Sequence, residues 1–264
     1  LKGKTGIART AIKPRGYQIE LFEKALKENV IIYLATGLGK TFITVLYVNS
    51  PLVDAEIQKG RKVIFLAPTQ DLVQQQAAYL YKKVPYKVRV YCGRTCATGL
   101  HIDKWKDEEW ERQFQEIDIM FMTPQIFSNA IIPGFIKWNN LAAVIFDEVH
   151  HAHSMKRGNS GHPYSKALDH YHFWFSDLSR ASEKPRIIGL TASLMNNLPS
   201  DLSKISLGIQ QLEKRIEGQC ITSGDAIDSK PLMIVHTHAN CDLDQDNDII
   251  CDIFLSYAKR MKEA

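Results

Sequence analysis

The residues best suited to chemistry are Lys40 and Thr41, which close the run Leu34-Ala35-Thr36-Gly37-Leu38-Gly39-Lys40-Thr41. Gly37 and Gly39 let a backbone turn tightly and come close to phosphate oxygens. A helix starting at Lys40 would add N–H groups without internal partners and the positive end of its dipole. Lys40 would then reach the β- and γ-phosphates of a nucleoside triphosphate, and the Thr41 hydroxyl would ligate Mg²⁺. Thr36, Leu38 and Phe42 complete the loop and the first helical turn. The strict phosphate-loop pattern carries Gly where this chain has Leu34, so a plain Gly-rich turn before a helix stands as the alternative.

The second reactive pair is Asp147-Glu148, directly after the apolar run Leu141-Ala142-Ala143-Val144-Ile145-Phe146. Carboxylates at the end of a buried strand are costly unless they serve something, and ligands of parallel α/β sheets bind at that end. Asp147 is placed to hold Mg²⁺ through water, and Glu148 to take a proton from an attacking water. His150 follows as a relay between the nucleotide and a second surface. Thr191 and Ser193 end another apolar strand, where hydroxyls can bond the acidic pair and sense a terminal phosphate.

Further polar residues occupy strand-to-helix junctions. Gln18, three residues after Arg15, opens a helix ahead of the phosphate loop; its amide can donate to and accept from an adenine edge, or lie on a helix surface. Pro68-Thr69-Gln70 and Thr123-Pro124-Gln125 each follow a buried strand and precede a helix. Helix-terminal N–H groups there can take a nucleic-acid phosphate, or the hydroxyls can simply cap. Gln74, Gln75 and Gln76 read as a solvated helix face. The remaining histidines (His151, His153, His162, His170, His172) are expected in solvent, because no zinc-type ligand set accompanies them.

These residues need strands and helices in alternation. The apolar runs near 30–34, 62–67, 117–122, 141–146 and 186–190 read as strands, as does the polar-apolar alternation at 87–91, the central ones apolar as in a parallel sheet covered on both faces. Helical patterns lie between them, at 42–48, from Asp71 to about Lys83, from Trp105 to Gln115 and from about Tyr164 to Ser179, with another at 200–215. The expectation is an α/β fold, a mostly parallel sheet with helices on both faces. Residues 1–13 form an irregular basic lead-in, 14–221 one domain, and 222–264 a linker with a strand at 232–236 and a helix at 248–263.

Composition sets outer limits. The 264 residues are 45% hydrophobic and 23% charged with net charge +4, which permits a nucleic-acid partner without requiring one. No apolar run approaches the roughly 20 residues of a membrane-spanning helix. The five cysteines include no Cys-x-x-Cys pair and read as reduced thiols. There is no signal-peptide pattern, and a cytoplasmic location is expected.

Five motifs in order, Arg15-Gly16-Tyr17-Gln18, the phosphate loop, Ala67-Pro68-Thr69, Asp147-Glu148-Val149-His150 and Leu190-Thr191-Ala192-Ser193, resemble the first RecA-like domain of a superfamily 2 helicase of the DExH type. The loop resembles the Ala-x-Thr-Gly-x-Gly-Lys-Thr variant of that group. Pro14 to Gln18, the Trp105…Trp110 segment, and Ile188 to Asn196 followed by Leu212-Glu213-Lys214 look like the amino-terminal helicase of Dicer enzymes, which usually carry Cys where this chain has Val149. The resemblance implies ATP and Mg²⁺ as cofactors, double-stranded RNA as partner, and a role in RNA interference. It also implies a second RecA-like domain, toward which 222–264 leads, and a double-stranded-RNA-binding protein partner. RNA-sensing helicases of innate immunity share the motifs, and an ATP-gated clamp on double-stranded RNA without turnover is a further alternative. The 264 residues hold no Gln-x-x-Gly-Arg-x-x-Arg run to supply arginines across the cleft and no ribonuclease machinery, so weak hydrolysis is expected from this piece alone.

Overall fold

The computed structural model describes residues 13–93, 105, 107–153, 161–193 and 202–222. Seven strands are present among them: β1 (Val30–Tyr33), β2 (Lys62–Leu66), β3 (Val88–Tyr91), β4 (Ile119–Met122), β5 (Leu141–Asp147), β6 (Arg186–Thr191) and β7 (Gln219–Ile221). They form one sheet in the order β3-β4-β2-β5-β6-β1-β7, and every pairing is parallel. The α-helices are α1 (Gly16–Lys27), α2 (Lys40–Val48), α3 (Pro51–Gln58), α4 (Gln70–Tyr81), α5 (Asp107–Glu116), α6 (Pro124–Ile131), α7 (Pro163–Trp174) and α8 (Leu202–Ile216).

Parallel neighbours need crossover connections, which are right-handed in nearly all proteins. From β1 to β3 the chain moves one way across the sheet, and from β3 to β7 it moves back. Crossovers of one hand then place α2–α4 on one face and α5–α8 on the other. The buried side chains follow that division. Val63 and Phe65 of β2 pack with Val73, Ala77 and Leu80 of α4 and with the α1 and α2 residues, whereas Ile64 and Leu66 pack with Phe127, Tyr164 and Leu168. Successive strand residues point to opposite faces, so a strand buried on both sides must be apolar throughout; β2, β4 and β5 are fully buried along their length.

Several helix ends differ from the periodicity-based expectation. Helix α4 ends at Tyr81, short of Lys83, and α5 runs Asp107–Glu116 with three acidic residues in its first turn. Helix α7 stops at Trp174 instead of Ser179, because Asp177 caps a separate 3₁₀ turn, Leu178–Glu183, by accepting from the Ser179 N–H at 3.0 Å. Residues 51–60, whose sequence reads as a loop with a short helix, hold α3: the Ser50 hydroxyl accepts from Val53 and Pro51 fills the first helical position. The strand expected at 232–236 and the helix expected at 248–263 lie outside the described residues. No helix among the described residues is long and apolar enough to cross a membrane.

Candidate active site

Strand order decides what meets what. β6 lies between β1 and β5, with Tyr33 opposite Thr191 and Asp147 opposite Leu190. The C-terminal ends of these three strands therefore present the phosphate loop, the Thr191 hydroxyl and the acidic pair side by side.

The loop is shaped by its glycines and held from below by α1. Gly37 and Gly39 have φ of 82° and 81°, a region that costs other residues about 1–2 kcal/mol. A Cβ on Gly39 would also lie 2.4 Å from Gln18 Nε2. The Leu38 carbonyl accepts from the Tyr17 hydroxyl at 2.9 Å and from Gln18 Nε2 at 3.2 Å, while Gln18 Oε1 accepts from the Arg15 N–H at 2.9 Å. Gln18 is thus buried with both ends of its amide on main chain, and reading an adenine edge requires it to exchange at least one of these bonds. Thr36 is exposed, whereas the side chains of Leu38 and Phe42 are buried beneath the loop and offer only main chain to a ligand.

Lys40 starts α2 and donates to the Leu34 carbonyl at 2.9 Å. Burial pushes its pKa down, and the charges of Glu148 and Asp147 oppose that shift. A desolvated ammonium between a turn of N–H groups and two carboxylates is a strong anion partner once phosphate arrives.

The two carboxylates are pushed in opposite directions. Asp147 is 5% exposed; burial, and then the charge of Glu148, raise its pKa to about 6 against the pull of Lys40, the Glu148 N–H and Gln76. Glu148 is half-buried, and its bond to His150 holds its pKa below the usual range, so it stands ionised as a proton acceptor. Its backbone is left-handed, with φ of 51°, a strained geometry for this residue type that turns the side chain off the end of the strand. Val149 is buried against Gly189, where a Cβ would meet Val149 Cγ1 at 2.8 Å, so the branched side chain fits because β6 carries Gly there.

His150 Nδ1 lies 2.8 Å from Thr191 Oγ1 and 3.3 Å from Glu148 Oε2. Thr191 Oγ1 donates to the Ser193 carbonyl and accepts from the Ser193 N–H at 3.1 Å. The hydroxyl proton being used, the imidazole Nδ1 is the donor toward Thr191. Glu148, His150, Thr191 and Ser193 thus form one connected network.

Two contributors escaped the sequence reading. Gln76, read as part of a solvated glutamine face, donates from Nε2 to Asp147 Oδ2 at 3.3 Å. Tyr164, read from the sequence as the start of a helix, is fully buried, and its hydroxyl lies 2.8 Å from the Asp147 carbonyl and 3.2 Å from that of Leu66. A buried tyrosine hydroxyl must find an acceptor, and that was the available signal. His151, His162, His170 and His172 are also less exposed than expected. Rings of His150, His151 and His162 follow one another at 4.3 and 5.1 Å, and burial lowers the His162 pKa to about 4 as its Nδ1 accepts from the Tyr164 N–H. His170 Nδ1 accepts from Trp138 Nε1 at 3.0 Å.

The other two junctions sit on neighbouring strands, Leu66 being paired with Met122. Thr69 caps α4 by accepting from Leu72 at 3.3 Å, and Thr69 and Gln70 are exposed. Pro124 is buried at the first position of α6, while Gln125 is exposed and Thr123 partly so. Two helix N-termini therefore open beside each other, next to the acidic strand end.

Among the described residues no group of three or more His, Cys, Asp or Glu could hold a metal ion. Mg²⁺ needs less: it keeps several waters and takes one or two carboxylates plus substrate phosphates. One buried carboxylate near Lys40, with the Thr41 hydroxyl beside that lysine, fits this donor set.

The raised Asp147 pKa has a stability consequence. Because the folded value lies above the unfolded 3.8, stability is lost as pH rises from about 4 to about 6, and neutral protein bears the full penalty. Asp147→Asn is expected to raise the unfolding free energy at pH 7.5, without nucleotide and with chelator, by on the order of 2–3 kcal/mol, and the thermal midpoint with it. The gain fades as pH falls from about 6 to about 4 and is gone below that; a lowered midpoint at pH 7.5 would contradict the burial argument.

A family model described as DEAD/DEAH box helicase matches residues 15–200. The chain is 39% identical over 181 residues to "Endoribonuclease Dicer homolog 4" of Oryza sativa subsp. japonica, covering 68% of this chain and 10% of that protein. It is 31% identical over 207 residues to "Dicer-like protein 2" of Cryphonectria parasitica, covering 78% of this chain and 13% of that protein. It thus spans only about a tenth of the length of these relatives. Among solved structures, the Pyrococcus furiosus Hef helicase domain superposes with TM-score 0.56 at 26% identity, covering 81% of this chain and 39% of that one. The seven-stranded parallel sheet is accordingly a helicase RecA-like domain, and the chain belongs to the DEAD/DEAH box helicase family.

Proposed function

We propose that this chain is the ATP-binding half of a double-stranded-RNA-dependent ATPase module in a Dicer-like protein. The observation that carries the reading is the convergence of Lys40, Asp147, Glu148 and Thr191 at three adjacent strand ends. Lys40 and the N–H groups of the loop bind the phosphates, with Gln18 and Arg15 toward the base. Thr41 and Asp147 hold Mg²⁺, which when bound neutralises phosphate charge. Glu148 accepts the proton of the attacking water, and His150, Thr191 and Ser193 link it to the terminal phosphate. Thr69, Gln70, Thr123 and Gln125 face the RNA backbone, with Pro68 and Pro124 shaping the two turns. Turnover requires arginines from a second RecA-like domain, a contribution of roughly 10³–10⁵ in rate for such groups.

The test is ATP hydrolysis by the full-length parent with blunt double-stranded RNA and with duplex DNA of equal length. Stimulation by RNA alone is expected. Equal stimulation by both would leave an ATPase without RNA preference. Tight RNA binding with no turnover would favour a nucleotide-gated clamp.

A further inference from the structure

Asp147 is tied once to the end of β2 and once to the helix that follows β2, and neither tie takes part in binding phosphate. The Tyr164 hydroxyl joins the Asp147 and Leu66 carbonyls, the last residues of β5 and β2. Leu66 is paired with Phe146 in the sheet, so this bond fixes main chain to main chain. The second tie is different in kind. Gln76 sits on α4 and holds the carboxylate itself, at Oδ2, while Oδ1 accepts from the Glu148 N–H at 3.1 Å. The main chain of Asp147 is thus locked to the sheet, and its carboxylate is divided between the sheet end and a helix.

Helix α4 begins at Gln70, directly behind the Thr69 cap, on the surface that the proposed function assigns to RNA. Gln76 is six residues in, about 9 Å along the axis. Val73, Ala77 and Leu80 bury one side of α4 against the sheet, so its first turn and Gln76 belong to one continuous packed helix. A phosphate bound at its first turn would act on the same helix that carries Gln76.

We propose that Gln76 is a positioning residue through which RNA held at the N-terminus of α4 sets the Asp147 carboxylate, with Tyr164 keeping the strand ends still. The inference rests on the double-stranded-RNA-dependent ATPase reading and adds the route of communication. Coupling of this kind is reciprocal and usually amounts to a factor of roughly 5–150 in affinity.

The experiment measures the affinity of a fluorescent non-hydrolysable ATP analogue for the full-length parent, with and without saturating blunt double-stranded RNA. Gln76→Met keeps the side-chain length and removes the amide; Gln76→Glu keeps the shape and removes the donor. In both variants the RNA-induced tightening of nucleotide is expected to fall at least about fivefold, with kcat at saturating RNA falling alongside. RNA affinity measured without nucleotide stays within about twofold, which a helix merely loosened by the change would not show. Wild-type coupling in Gln76→Met overturns the proposal, as does a parallel loss of RNA affinity. If the wild-type parent shows no RNA effect on nucleotide, the RNA-dependent ATPase reading itself fails.

Discussion

Glu148→Gln in the full-length parent is expected to reduce ATP turnover by a factor on the order of 10²–10⁴, the usual contribution of a positioned general base. The amide keeps the size of the carboxylate and can still meet His150 and Thr191, so the network at the strand end persists. It cannot accept the proton of the attacking water. Nucleotide affinity is expected to hold within a few-fold, because Glu148 does not bind phosphate and its negative charge, if anything, opposes it. The left-handed backbone at this position is a cost that Gln bears equally, so the variant folds as the wild type does. Steady-state hydrolysis with double-stranded RNA, beside an equilibrium titration of nucleotide, separates the two effects. A fall in affinity matching the fall in rate would mean that Glu148 binds rather than catalyses.

Lys40→Ala should act on the other quantity. Charge-assisted hydrogen bonds to a phosphate contribute about 1.5–3 kcal/mol, so nucleotide affinity is expected to drop by roughly 10–150-fold. The free protein loses little. Burial already disfavours the charged lysine, and its one bond to the Leu34 carbonyl is a strap on a loop that Tyr17 and Gln18 hold independently. An unfolding midpoint near that of the wild type, with nucleotide protection abolished, is the expected pair of results. Unchanged affinity would remove Lys40 from the phosphate site.

Much of this was legible in the chain because two strong local signals coincide. Gly37, Gly39 and Lys40 form a turn that few other functions need, and an acidic pair after six apolar residues has few structural excuses. The strands were legible for a related reason: a parallel sheet covered on both faces confines polar residues in β2, β4 and β5 to the strand ends at Lys62 and Asp147, so the runs stand out. Long-range partnership was not legible. Gln76 lies among three glutamines with nothing to distinguish it, and only the packing of α4 against β2 brings it to Asp147, 71 residues away. Tyr164 looked like one aromatic among many; the two carbonyls it reaches belong to separate strands whose adjacency no local pattern shows. His151 and His162 were misplaced for the opposite reason, since polar residues near a loop suggest solvent, while stacking of their rings between the 3₁₀ segment at Val149–His153 and the start of α7 half-buries them. Helix ends were set by caps such as Asp177, which compete with periodicity and win by one hydrogen bond.

The central claim is that these strand ends bind ATP and that Glu148 carries out the chemical step. It is tested most directly by identifying the nucleotide retained on the full-length parent carrying Glu148→Gln after incubation with ATP, Mg²⁺ and blunt double-stranded RNA. Intact ATP, held by the variant while the wild type has converted its share to ADP, is the predicted result. ADP on the variant, formed as fast as on the wild type, would contradict it.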